Sequence, residues 1–447
     1  MTDFTQGRIG RQIITFSIPI ILGNFFMQFY QIVDSIIVGQ VLGKEALAAV
    51  GAAFPVIFAV IALMIGIGSG ASVVIAQYFG AKQTEKVITA SDTIHIFFIS
   101  VSIIIGILAY FFSEDVFRFI DLPEDILPLA VPYLQVYLGG IVFMFGFQTI
   151  NAILRGVGDS KTPLYFLVLS SLLNVVLDIA FVLWFGWGIV GAAWATVLAS
   201  AVAYFASIYY INRKDFFFRI DLFRLKFDKK IFGQSVRYGL PTGIQQSVVA
   251  YGMVALMSIV SGFGTDVVAG YSIGIRVENL AVIPAMNFAL ALQSFTGQNV
   301  GAGRWDRVRE GLKKTLIFSS ITCVIITTLI VLWGREILMM FTSDIQVINV
   351  GEEYLVIVSS FYLLFSSMFV INGMLRGAGA VIVPMFTTMI SLWLVRIPLA
   401  VWFSREIGEV GIWWSVPAGW ALGLILSYVY YKTGKWKKHS LFAKGDF

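Results

Sequence analysis

The feature that most constrains this chain is a recurring apolar run long enough to cross a bilayer. From Gln12 to Val38 the single charged residue is Asp34, and comparable runs follow at 46–75, 93–112, 130–153, 163–185 and 189–211. A second set occupies 235–262, 267–292, 312–333, 350–375, 384–403 and 410–431. A helix needs about 20 mostly apolar residues to span the hydrocarbon core, whereas strands of a membrane barrel alternate over about ten residues. The runs do not alternate, so the chain is expected to be an all-α integral membrane protein with twelve transmembrane helices. Composition agrees: 58% of the 447 residues are apolar and only 13% are charged, where a soluble protein carries about a quarter. A soluble enzyme, a disordered chain and a nucleic-acid binder are all excluded, despite the net charge of +5. The lone Cys323 allows no intrachain disulfide. His95 and His439 are too few for a zinc centre, and no resident cofactor is expected.

Orientation follows from the basic residues, which accumulate on the cytoplasmic side of membrane proteins. With both termini inside, only Lys44, Arg118, Arg335 and Arg405 of the 31 Lys and Arg fall on the opposite side, while Arg276 and Arg396 lie within spans. The first run is too long for a signal-peptide core, lacks a small-residue cleavage site and carries Asp34, so a retained first helix is expected.

The chain is also duplicated. Gln77-Tyr78-Phe79-Gly80-Ala81 is echoed by Gln298-Asn299-Val300-Gly301-Ala302. Likewise Leu154-Arg155-Gly156-Val157-Gly158 is echoed by Leu375-Arg376-Gly377-Ala378-Gly379, at the same offset of 221, and Pro19 matches Pro241. The expected organisation is an N-lobe at 1–211, a basic cytoplasmic linker at 212–234 and a C-lobe at 235–447. Six spans per lobe give both lobes one orientation, and hence a pseudo-two-fold along the membrane normal. Such a duplicated chain without a Walker-type phosphate loop suggests a gradient-driven carrier.

These motifs give the chain a resemblance to the multidrug and toxic compound extrusion (MATE) family, in its DinF-like prokaryotic branch. The resemblance runs the whole length, and its most specific part is Asp34 after Pro19, Asn174 and Asp178 on helix 5, and Thr196 on helix 6. It implies that these four residues form the proton- or cation-coupling site; Pro19, which removes a backbone hydrogen bond in the span that carries Asp34, is the candidate hinge. The NorM-like branch places acids in helices 7 and 10. Here helix 7 reads Thr242-Gly243-Ile244-Gln245-Gln246-Ser247 and helix 10 has no acid past Glu353, which directs the coupling chemistry to the N-lobe.

The residues support the same reading on their own. A charge at the bilayer centre costs about 3 kcal/mol on insertion scales, so Asp34 must be paired, protonated or solvated. Asn24, Gln28, Gln31 and Ser35 draw a polar stripe along its helix. Asn174 and Asp178, four apart, share a helix face. Two carboxylates, an amide and a hydroxyl suit a sodium ion. Equally, two carboxylates in a low dielectric repel, so that one holds its proton near neutral pH and can carry it; a purely structural hydrogen-bond cluster is the third option. The C-lobe counterparts of the acids are Ala255 or Leu256 and Leu399, so a lobe can be built without them. In their place stand Arg276, Glu278 and Arg396, with Glu278 and Arg396 either an ion pair or substrate contacts. Further candidate substrate contacts are Gln31, Tyr30, Tyr137, Gln245, Gln246 and Met253.

The expectation is an H⁺- or Na⁺-coupled efflux antiporter for organic, mostly cationic drugs. It should be a monomer in a bacterial or archaeal inner membrane, with the lipid bilayer as its other partner. A lipid-precursor flippase of the same superfamily, or a channel or receptor, are the alternatives. Opposite interior charges would make cationic drug and coupling ion compete in the N-lobe.

Overall fold

The structure, a computed structural model, describes residues 1–214 and 216–442; the side chain of Ser35, placed above in the polar stripe, lies outside the description. The described residues contain helices and connections but no strand. Among the described residues, ten helical segments are long and apolar enough to span a membrane, and two further bent pairs bring the number to as many as twelve. The helices are α1 (Ile9–Ile37), α2 (Lys44–Gly80), α3 (Thr84–Phe119), α4 (Leu127–Gly139), α5 (Ile141–Gly156), α6 (Lys161–Asp178) and α7 (Gly188–Arg213). After the link come α8 (Lys229–Val260), α9 (Thr265–Gly301), α10 (Trp305–Met339), α11 (Ile345–Ser359), α12 (Tyr362–Gly377), α13 (Ile382–Met389), α14 (Ile397–Ile407) and α15 (Glu409–Thr433).

The duplication is visible in how the helices deform. The runs at 130–153 and 350–375 are each broken into two helices: α4 and α5 meet at 44°, α11 and α12 at 51°. The first break falls at Gly140, where a Cβ would overlap the Val197 side chain. Stretches of π-helix follow α1 (Val38–Leu42), α6 (Ile179–Trp184) and α13 (Ile390–Arg396). In one half α2 packs on α3, α4 and α5; in the other, α9 packs on α10, α11 and α12.

Two compact units result, and their boundaries differ from the expected ones. Unit 1 comprises Met1–Thr2 and Ile18–Leu240; unit 2 comprises Asp3–Ser17 and Pro241–Phe447. Besides the division between Thr2 and Asp3, two fall inside helices, beside Pro19 in α1 and at Pro241 in α8, where proline removes a backbone hydrogen bond. The segment 212–234 is thus part of unit 1 and not a free tether, and physical contacts explain why. Asn212 and Ile220 exchange two hydrogen bonds of 2.8 Å. The Lys226 and Asp228 backbone amides donate to Asp92 Oδ2 (3.2 Å) and Thr93 Oγ1 (3.0 Å). The start of α8 follows into unit 1, since Tyr78 donates to Gln234 Oε1 (2.8 Å) and Gly239 backs onto Gly70 so closely that neither tolerates a Cβ.

Residues 3–17 join unit 2 through Arg307. Its guanidinium donates to the carbonyls of Phe4 (2.9 Å), Gln6 (3.1 Å) and Gly7 (3.1 Å) and to Gln12 Oε1 (3.2 Å). The Phe4 amide donates to Gln298 Oε1 (3.0 Å), and its ring packs on Phe16 and Phe295 at 5.1 and 5.6 Å.

Candidate functional site

In unit 1 the four residues expected to form a coupling site do converge. Asp178 closes α6 just ahead of the π-helical stretch 179–184 and is fully buried, with Asn174 one turn earlier on the same face. Asn174 bridges to α7. In the amide orientation that satisfies both ends, its nitrogen donates to Asp178 Oδ2 (3.1 Å) and its oxygen accepts from the Thr196 hydroxyl (3.2 Å). Thr196 is anchored in turn, with its hydroxyl 3.2 Å from the Ala192 carbonyl oxygen. From α1, Asp34 brings its carboxyl into hydrogen-bond contact with that of Asp178.

Two carboxyl groups in contact cannot both stay ionised in a low-dielectric interior unless a positive charge lies between them. Each also keeps a buried oxygen, Asp34 Oδ1 and Asp178 Oδ1, without a hydrogen-bond partner among the described residues. In this arrangement the Asn174 amide turns its nitrogen to Asp178 and its oxygen to Thr196, so the unpartnered oxygens of the cluster are those of the two acids. Tyr30 of α1 and Tyr133 and Tyr137 of α4 lie within electrostatic reach of Asp34, the last two with ring centroids 6.0 Å apart. Each is a group that can donate a hydrogen bond but carries no competing charge.

In unit 2, Glu278 of α9 is half-buried and accepts a hydrogen bond from Tyr354 of α11. Arg396 ends the π-helical stretch 390–396 and is near enough to influence Glu278 electrostatically. The ion pair considered for these two is not formed: among the described residues the four ion pairs are Arg118–Glu114, Arg224–Asp221, Arg304–Asp306 and Arg335–Glu352. Burying Arg396 beside α15 leaves its Nε without a partner.

The relationships with known proteins fit this geometry. The MatE family model matches residues 19–180 and again residues 241–402, so the family unit occurs twice in one chain. The chain belongs to the MatE family. Like other MatE proteins it is a membrane transporter and not an enzyme. It is 32% identical over 443 residues to the probable multidrug resistance protein YpnP of Bacillus subtilis (strain 168), covering 99% of each chain. A protein of Shewanella oneidensis named FAD transporter is 24% identical over 416 residues, covering 92% of this chain and 91% of that protein. Among solved structures, an outward-facing multidrug resistance MATE family transporter of the MOP superfamily matches with a TM-score of 0.91 at 26% identity, over 97% of this chain and 98% of that one.

Other candidate residues of this MatE protein are placed differently. Tyr30 and Tyr137 lie within electrostatic reach of Asp34, while Gln31, Met253 and Arg276 are exposed on their helices. Gln245 is committed to packing: its amide nitrogen donates to Thr388 Oγ1 (2.6 Å) and the Pro384 carbonyl (3.3 Å), and its oxygen accepts from Arg376 (3.3 Å). Gln246, next to it, is half-buried. None of these lines the apolar recess of about 560 Å³ in unit 2 bounded by Phe361, Leu364, Phe403 and Trp414. Sequence reasoning missed Tyr133, which the four-residue spacing to Tyr137 on one helix face could have indicated. It also missed Tyr354, which carries no local signal because its partner Glu278 lies 76 residues away.

Proposed function

We propose that this protein is a multidrug efflux antiporter that exchanges organic, mostly cationic compounds for protons or sodium ions by alternating access. The observation that carries the reading is the Asp34–Asp178 carboxyl contact, with an unpartnered buried oxygen on each acid, inside a transporter of the MatE family. A cation arriving there relieves the repulsion between the acids and favours one arrangement of the protein; an organic cation entering the same acidic region competes with it. Asn174 steadies the Asp178 carboxyl through its amide nitrogen, and to ligate sodium it would turn its oxygen, with the Thr196 hydroxyl, toward the acids.

Multidrug resistance relatives support drugs as the substrate class. The Shewanella relative named FAD transporter supports asking the same of anionic compounds, for which Arg276 is an exposed cation on α9 of unit 2. We further infer a location in the cell inner membrane with both termini cytoplasmic, the orientation resting on the distribution of basic residues.

The test is transport by the purified protein in sealed liposomes, with proton and sodium gradients imposed one at a time. Drug movement driven by either gradient, and lost in Asp34→Asn and Asp178→Asn, is the expected result. Drug movement that ignores both gradients, or survives both substitutions, overturns the reading.

A further inference from the structure

We propose that unit 2 carries a second proton-binding centre, built on Glu278 and separate from the Asp34–Asp178 pair. Neither the family match nor any relative's name assigns a role to this residue, and the proposal does not rest on how the unit 1 site works.

Five elements bring polar or charged groups to one place: Tyr271 and Glu278 from α9, Tyr354 from α11, Tyr362 from α12, Arg396 from the π-helical stretch 390–396, and Trp413 from α15. Tyr354 donates its hydroxyl proton to Glu278 Oε2. The Tyr354 ring meets Trp413 edge-on at 5.1 Å, and Trp413 stacks on Tyr271 at 5.2 Å with the planes only 15° apart. Such packing fixes the Tyr354 hydroxyl, and through it the carboxyl.

The backbone is cut to admit the groups that hold Glu278. A Cβ on Gly274 would come within 2.6 Å of Tyr354 Cδ1, and one on Gly419 within 3.1 Å of Arg396 Cβ. Arg396 is delivered by π-helical winding, an irregularity that helices retain mostly at functional positions. A helix that only needed to cross the membrane would gain by regular winding and an apolar residue there.

The chemistry of the donors selects the ligand. Among the groups gathered here, the Tyr362 hydroxyl, the Trp413 indole N–H and Arg396 Nε are buried without hydrogen-bond partners among the described residues. All can donate, and only Glu278 carries an acceptor charge. A metal ion needs several oxygen ligands and would be repelled by the guanidinium, whereas a proton needs only the carboxylate. A structural ion pair would close to direct contact, and Arg396 does not bridge to Glu278. The titratable and charged groups facing Glu278 are Tyr354 of α11, Tyr362 of α12 with Cys323 of α10 behind it, Arg396, and Tyr271 on its own helix. Arg276, two residues away, is exposed. Protonation of Glu278 leaves Arg396 as the uncompensated charge of the centre, which turns the interior of unit 2 against organic cations. Proton and cationic substrate then exclude each other in unit 2 independently of unit 1.

Infrared difference spectroscopy of the full chain in lipid nanodiscs, titrated with acid, reads protonated carboxyls directly. In an Asp34→Asn, Asp178→Asn background the expected result is a carboxyl carbonyl band that rises on acidification and is lost on adding Glu278→Gln. Tyr354→Phe in the same background removes a single hydroxyl and is expected to shift that band without abolishing it. A double variant whose acid-difference spectrum is unchanged by Glu278→Gln overturns the proposal. If Glu278→Gln does not fold, a spectrum unmoved by Tyr354→Phe overturns it instead. Failure of the unit 1 reading would show separately, as carboxyl bands unaltered by the two aspartate substitutions.

Discussion

Asp34 shows how much a single residue can decide in a membrane helix. An acid in a membrane span is costly unless paired, protonated or solvated, and this one meets Asp178, a second acid, which is why the proposed function gives the pair a bound cation or proton. Asn preserves size and polarity but cannot titrate. Asp34→Asn is therefore expected to reduce drug export to the background of empty vesicles while membrane insertion stays normal, measured as resistance and as protein level in the membrane fraction. Full export by the inserted variant would remove Asp34 from the coupling site. Thr196 and Asn174 separate the two ions. If they ligate sodium, Thr196→Val and Asn174→Leu weaken sodium-driven transport and spare proton-driven transport; if they steady a protonated carboxyl, both variants shift the pH profile and leave sodium without effect. Sodium titrations at fixed pH decide between these outcomes.

Between helices, close approach is bought with missing side chains. Gly70 of α2 and Gly239 of α8 lie back to back, and a Cβ on either would overlap the other helix's backbone. Overpacking a tight contact typically costs about 1–3 kcal/mol, and here backbone atoms, which cannot rotate aside, are the obstacle. Gly70→Val is expected to cost at least about 3 kcal/mol, read as a lower melting temperature in detergent, while Gly51→Ala, with open space at its Cβ, should leave melting unchanged. Equal melting of both variants would mean that α8 does not rest on α2. Irregular winding acts at the same scale. The π-helical stretches after Asp178 and up to Arg396 turn these side chains relative to an ideal helix, which no spacing rule for a regular helix describes.

For the whole molecule, the division into units matters more than the loop that separates the repeats. The segment 3–17 belongs to unit 2 because Arg307 gathers its carbonyls. Breaking a buried hydrogen-bond hub of this kind destabilises by about 3 kcal/mol, so Arg307→Ala should lower the melting temperature and expose the N-terminus to protease. An N-terminus as resistant as in the wild type would show that the hub does not hold it. The twelve spans, the duplication and the positions of the acids were legible in the sequence, because bilayer thickness and a fixed repeat offset write themselves along the chain as length, hydropathy and spacing. The clustering of Asp34, Asn174, Asp178 and Thr196 came from resemblance to a family and from the cost of buried charge. Tertiary structure alone decided that the two acids touch, that Tyr133 stands beside them, that Tyr354 and not Arg396 holds Glu278, and that the units divide within α1 and α8 and not at the basic link. Hydrophobicity places a helix in the membrane but leaves its rotation about its own axis open; that rotation, set by glycine notches and by the packing of neighbouring helices, determines which side chains meet.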